Sequence, residues 1–140
     1  MNAKRLADRY QVNVDTVRYY TRIGLLTPST NPINGYKAYS SADETRLQFI
    51  IQAKALGFSL QDIETFIQES QLGHSPCPTV REIMKQRIEQ TQAKIQVMQI
   101  TFEKMQSALA LWESLPDCNP TGDHVCHLIE GLIEEESDHV

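Results

Sequence analysis

Three thiols carry most of the chemistry open to this chain: Cys77, Cys118 and Cys126. Cys118 and Cys126 stand eight residues apart, the first of them inside the turn-rich run Pro116-Asp117-Cys118-Asn119-Pro120-Thr121-Gly122-Asp123. A loop of that kind can close two thiolates on one soft ion. Asp123 or His124 is expected to cap a last short helix through Leu128, Ile129 and Leu132, which puts Cys126 in its first turn. Cys77 lies between Pro76 and Pro78, and Pro78 at a first helical position would make Cys77 the N-cap. Free backbone N–H groups at such a helix start favour a thiolate. A single cysteine is most often a small buried hydrophobe, so it is the shared setting of these three that argues for metal or redox chemistry. His74, His124 and His127 are auxiliary ligand candidates, and although a histidine in a polar loop is usually only solvated, His124 is the favoured one.

Between Cys77 and Cys118 runs a heptad. Positions a are Ile88, Ile95, Phe102 and Leu109; positions d are Thr91, Met98, Met105 and Trp112. Their alternating spacing of three and four is the period of a coiled-coil seam. A helix from Pro78 to about Leu115 would be roughly 55 Å long at ~1.5 Å per residue. Cys77 and Cys118 of one chain therefore cannot meet on one ion. If the three thiols share a ligand, two chains must supply them, and an antiparallel pair of these helices would do so.

The formal charge of −5 divides unevenly along the 140 residues. Residues 1–60 hold eight Lys/Arg against four Asp/Glu, net +4, and residues 61–140 hold five against fourteen, net −9. Only the front half has the sign to meet a polyanion. No apolar run reaches membrane-spanning length and no basic-then-apolar start suggests a signal peptide, so no membrane role is expected. Three cysteines are an odd number, which argues for reduced thiols in a cytoplasm over a secreted disulfide framework.

The front half reads as two short helices, a β-ribbon and two more helices. Leu6, Ala7 and Tyr10 form one apolar stripe; Asn13 then caps a second helix carrying Val14 and Val17. Such a pair is a helix-turn-helix, whose second helix enters the major groove. On it Asp15, Thr16, Arg18, Tyr19 and Arg22 mix hydrogen-bonding groups with cations, as a groove reader requires. The bland alternative is a helical hairpin with a solvated basic face. Asn34-Gly35, flanked by Ile33, Tyr36, Lys37 and Tyr39, predicts a tight type I′ hairpin, and hence a wing beside the recognition helix. Ser41 with Glu44 predicts a capping box for a third helix that Gly57 ends, and Ser59 caps a fourth with Leu60, Ile63, Phe66 and Ile67.

Arg18-Tyr19-Tyr20, Arg22-Ile23-Gly24-Leu25-Leu26, Asn34-Gly35-Tyr36 with Tyr39, and Leu56-Gly57-Phe58-Ser59-Leu60 recur in an order and spacing that resembles the winged-helix domain of the MerR family of transcription regulators. The resemblance covers about residues 1–70. It implies that Arg18, Tyr19, Tyr20 and Tyr36 lie near the DNA backbone, and that the long helix forms an antiparallel homodimer. Thr21 and Lys37 depart from the family's usual acidic residue and arginine; lysine keeps the charge but loses the bidentate fork. The cysteine arrangement is similar to the metal-sensing branch, where a cysteine matching Cys77 marks sensors of divalent zinc, cadmium, lead or mercury. The 41 residues from Cys77 to Cys118 are more than in the zinc and cadmium sensors, so the region around Trp112 to Pro116 is extended.

The expected architecture is mainly α: a winged helix over 1–72, a dimerisation helix over 73–115, and an effector-binding loop, short helix and acidic tail over 116–140. As the resemblance implies, the homodimer sits on promoter DNA with an over-long spacer and, once metal-loaded, distorts it so that RNA polymerase engages both elements. No nucleophile–base pair, phosphate loop or open-sided metal motif suggests an enzyme. The alternative on the same scaffold is a regulator whose cysteines answer oxidants or electrophiles. An iron–sulfur cluster would want four clustered thiols, and an organic effector pocket built on Trp112 and Phe102 conflicts with their place on the seam.

Overall fold

Asparagine starts both of the first two helices. Asn2 accepts from the Arg5 N–H ahead of α1 (Ala3–Arg9), and Asn13 accepts from the Asp15 N–H ahead of α2 (Val14–Arg22), each at 2.8 Å. These bonds satisfy N–H groups that have no partner inside the helix. The tight break between the helices turns on Gln11, whose φ of 56° is the only positive value at a non-glycine among the described residues. In this computed structural model the backbone is described for residues 1–137 and the side chains for residues 1–132.

The wing differs from the tight hairpin expected of Asn34-Gly35. Strands β1 (Ser29–Thr30) and β2 (Lys37–Ala38) pair antiparallel with Ser29 opposite Ala38 and Thr30 opposite Lys37, so six residues, 31–36, connect them. A type I′ turn needs positive φ at both central residues, whereas only Gly35, at 72°, has it here. Two backbone bonds close the wider loop, from the Asn31 N–H to the Tyr36 carbonyl at 2.8 Å and from the Gly35 N–H to the Asn31 carbonyl at 2.9 Å, and side-chain amides brace it: Asn31 accepts from the Ile33 N–H at 2.8 Å and Asn34 from the Tyr36 N–H at 2.9 Å. Asparagine mimicking a backbone turn in this way competes with hairpin geometry.

Helix α3 (Ser41–Ala55) is capped one residue earlier than the sequence suggests: Ser40 and Asp43, not Ser41 and Glu44, form the capping box. Asp43 is the better choice because its carboxylate also accepts from the Thr27 N–H at 3.0 Å, tying the helix start to the preceding loop. Glu44 is freed to bind Arg9 at 2.6 Å and the Tyr10 hydroxyl at 3.2 Å, joining α3 to α1. Gly57, at φ 96°, follows the helix end as expected, and Ser59 with Asp62 boxes the start of α4 (Leu60–Gln71). Leu6, Val17, Leu26, Leu47, Ile50, Ile63 and Phe66 are fully buried between these helices, and Phe58 meets Phe66 edge to face at 5.1 Å.

Helix α5 (Cys77–Trp112) runs unbroken for 36 residues, about 54 Å at ~1.5 Å each. Its first turns belong to the compact unit Met1–Ile88: Val80, Ile83 and Met84 pack against the core, the Thr79 hydroxyl donates to Glu69 at 2.8 Å, and Arg87 donates twice to Asp62 at 2.9 and 2.7 Å. Burial alone would push the Asp62 carboxyl up, but the Ser59 N–H, the Arg87 guanidinium and the Ser59 hydroxyl outweigh it and hold it below its ordinary value.

The second unit, Glu89–Val140, holds the rest of α5 and α6 (His127–Ser137). Ile95, Met98, Phe102, Met105 and Leu109 are each at least half exposed, as is Ile88 just before them. Trp112, placed on the same seam by the heptad, is part-buried, and its indole N–H donates to the Leu128 carbonyl at 3.1 Å. The helix therefore ends by gripping α6 of its own chain. Glu134, Glu135 and Glu136, part of the expected acidic tail, continue the backbone of α6, while Asp138–Val140 with His139 lie outside the described residues. Among the described residues no helix is long and apolar enough to cross a membrane.

Candidate nucleic-acid interface and metal centre

Helix α2 is two-faced. Val17 and Tyr20 face the core, while Asp15, Arg18, Tyr19 and Arg22 are exposed and Thr16 is half-buried between the two faces. Tyr20 is thus a correction to the expected DNA contacts: it is only 8% exposed, and burial, with Tyr19 beside it, raises its hydroxyl pKa. Its neighbour Tyr19 is 41% exposed and carries the Arg22 guanidinium over its ring, 5.3 Å from the centroid. That stacking holds a cation at the surface without pairing it to an acid. Arg18 has only a long, exposed contact to Asp15 at 3.6 Å, which a phosphate would readily displace.

Arg18, Tyr36 and Lys37 line one hollow with Asn2 and Lys4. The first turn of α1, the recognition helix and the wing thus present three cations around one concave surface. Phosphate contacts of this type set register and affinity, while base edges set sequence. Lys4 was missed in the sequence because its relevance comes only from the way α1 folds back against the wing. Thr21, the departure from an acidic residue, bonds the Tyr39 hydroxyl at 2.7 Å and so fixes α2 to the residue following the wing. Arg18→Ala is expected to weaken promoter binding and to lower the slope of log affinity against log salt by about one phosphate contact. Binding isotherms across a salt series check this, and an unchanged slope would remove Arg18 from the interface.

The thiols are all free: Cys77 and Cys118 exposed, Cys126 half-buried. Cys77 is the first residue of α5, not its cap, since the Pro76 carbonyl accepts the Val80 N–H at 2.9 Å; Cys126 precedes α6 rather than lying in its first turn, and its carbonyl accepts the Glu130 N–H at 3.1 Å. Each shift is one residue. Cys118, Cys126, His124 and His127 line a single hollow in the second unit. His124 Nδ1 lies 2.9 Å from Glu130 Oε2, and His127 Nε2 lies 3.0 Å from the Pro116 carbonyl. Glu130 also accepts from the Val125 N–H at 2.7 Å; this bond first, and His124 second, hold its carboxyl below the ordinary value. Two thiols and two imidazoles are the donor chemistry of zinc and softer divalent ions. Among the described residues, however, no three such donors stand close enough within one chain to hold an ion.

A helix-turn-helix with a wing and a cationic hollow, followed by a long helix, is the architecture of a DNA-binding regulator. The family model described as MerR HTH family regulatory protein matches residues 1–70 and that described as MerR, DNA binding matches residues 44–108. The chain belongs to the MerR family of transcription regulators. It is 31% identical to a mercuric resistance operon regulatory protein of Bacillus cereus over 130 residues, 93% of this chain and 95% of that one. To the HTH-type transcriptional regulator ZntR of Escherichia coli K12 it is 30% identical over 107 residues, 74% and 76% of the two chains. Its fold superposes with a TM-score of 0.70 on a crystal structure of the transcription regulator PbrR691 from Ralstonia metallidurans CH34 in complex with lead(II), at 20% identity and with 94% and 98% of the chains covered.

Proposed function

We propose that this protein is a metal-responsive transcription regulator that binds promoter DNA as a homodimer and switches transcription on when it holds a divalent soft metal ion. The single observation that carries the metal reading is the hollow lined by Cys118, Cys126 and two imidazoles. Relatives named for mercuric resistance, and a lead(II)-bound protein of the same fold, support a metal effector in general. Zinc, cadmium, lead and mercury all suit sulfur and imidazole donors.

The exposed seam of Ile88, Ile95, Met98, Phe102, Met105 and Leu109 supports the homodimer, because an apolar stripe of this length on one helix is what a partner helix covers. The 36-residue helix that begins at Cys77 supports a centre built from two chains, with Cys118 and Cys126 of one subunit and the partner's Cys77. A bound divalent ion would there supply a cross-link between the start of one α5 and the loop beyond the end of the other. The chain's own residues do the rest. Thr79 and Arg87 tie the first turns of α5 to α4, so a shift at Cys77 reaches the winged helix through rigid packing. Residues 1–72 act as the DNA-binding domain, 73–115 as the dimerisation helix and 116–140 as the effector-binding part. Arg18, Tyr19, Arg22, Tyr36 and Lys37 hold DNA, with Asp15 and Thr16 on the same helix. Loading bends and untwists the spacer so that RNA polymerase in the cytoplasm engages both promoter elements.

Metal content of the protein, purified without chelator and paired with thiol titration, tests the reading. Stoichiometric metal with two or more protected thiols per chain is expected. A disulfide without metal would favour the redox alternative on the same cysteines.

A further inference from the structure

We infer that Tyr39 is a positioning residue for promoter recognition: its hydroxyl on Thr21 and its backbone N–H on Met1 hold α2, α1 and the wing at one spacing, so that cations on all three meet phosphates in register. The inference rests on the proposed placement of Arg18, Tyr36 and Lys37 against DNA and adds the residue that sets the distances between them.

Tyr39 directly follows β2, yet it belongs to the core and not to the wing surface. It is 5% exposed, whereas Lys37 and Ala38 before it are exposed. Three elements converge on it. Its backbone N–H donates to the Met1 carbonyl at 2.7 Å, one residue before the Asn2 cap of α1. Its hydroxyl lies 2.7 Å from the hydroxyl of Thr21 in the last turn of α2. Through Ala38, which pairs with Ser29, it continues the strand that carries Lys37.

The direction of the hydroxyl bond follows from its neighbour. Thr21 Oγ1 donates its one proton to the Val17 carbonyl at 2.8 Å, a turn back along α2. It can therefore only accept from Tyr39, which donates. The relay from Tyr39 through Thr21 ends on the backbone of the recognition helix itself, so the buried ring is fixed in rotation as well as in depth.

A ribbon with two residues in each strand, all four exposed, is too small to hold an orientation by itself. Its direction must come from its attachments, and Tyr39 is one that reaches both helices. Lys4, Arg18 and Lys37 wall one hollow from α1, α2 and the wing. Charge alone draws these cations to any duplex, whereas register on one particular duplex needs their spacing fixed. Loss of the Tyr39 hydroxyl keeps every charge and frees the spacing.

The test uses the full-length protein, with wild type, Tyr39→Phe, Thr21→Val and the double variant titrated across a salt series. The probes are a duplex that the wild type selects from a random pool and an unrelated duplex of equal length. Phenylalanine keeps the buried ring and removes only the donor; valine keeps the shape of threonine and removes the acceptor. Tyr39→Phe is expected to weaken binding of the selected duplex about 2- to 10-fold, the net worth of one hydrogen bond. The unrelated duplex should bind as before, and the salt slope should stay, because no cation is lost. Thr21→Val should cost at least as much, since it strands a buried hydroxyl, and the double variant should bind no worse than Thr21→Val alone. Thermal unfolding of each variant, with binding compared well below every Tm, separates positioning from stability. A lowered Tm with unchanged affinity for the selected duplex would overturn the inference by making the pair plain core. Equal losses on both duplexes, or losses that simply add in the double variant, would overturn it too. Those results leave the DNA surface standing, whereas a wild type that selects no duplex from the pool would overturn that surface and this inference with it.

Discussion

Replacing Cys126 by serine is expected to abolish metal-induced transcription while leaving promoter affinity nearly intact. The two effects separate because the groups proposed to face DNA lie on α1, α2 and the wing in the first unit, whereas Cys126 belongs to the second. Serine also suits the position structurally. Cys126 directly precedes α6, where a hydroxyl is among the favoured caps, so the helix start should survive the change. What is lost is a thiolate: a serine hydroxyl stays protonated at neutral pH and is a poor ligand for soft ions. A divalent ion wants three or four ligands, and the proposed centre of three thiolates reduced to two falls below that count. Run-off transcription with and without metal, beside a binding isotherm on the same promoter fragment, checks both halves. Loss of DNA binding in the variant would mean that Cys126 is structural core.

The sequence revealed the helices well because their signals are local. Asn13, Ser59 and Gly57 mark helix ends through bonds and φ values that involve only near neighbours, and the heptad from Ile88 lies within one continuous helix. The misplaced features depend on partners distant in sequence. Ser41 with Glu44 satisfies the capping pattern, yet Asp43 takes the role because Thr27, sixteen residues back, also needs its carboxylate. Asn34-Gly35 reads as a two-residue turn until Asn31 is seen closing a wider loop. Tyr20 sits in a motif whose other members are exposed, but the 3.6-residue period of α2 turns it with Val17 into the core. At the proposed metal centre the thiols and His124 were legible as residue types. Glu130 was not, because an acid in the first turn of a helix already has an ordinary reason to be there in the dipole, and only the fold aims it at an imidazole. Nor did the heptad show that Trp112 would donate to Leu128.

Subunit mixing decides whether one metal ion is shared by two chains. Cys77→Ser removes the first thiol from both ends of a homodimer, and Cys118→Ser/Cys126→Ser removes the other two. Each homodimer should bind metal weakly or not at all. In the mixed dimer one end still joins Cys118 and Cys126 of the first subunit to the second subunit's intact Cys77, while the other end lacks all three thiols. Metal titration of purified heterodimers is therefore expected to find one tight divalent site per dimer. Heterodimers that bind no more metal, and no more tightly, than either homodimer would contradict the shared site and leave Cys118 and Cys126 to act within a single chain.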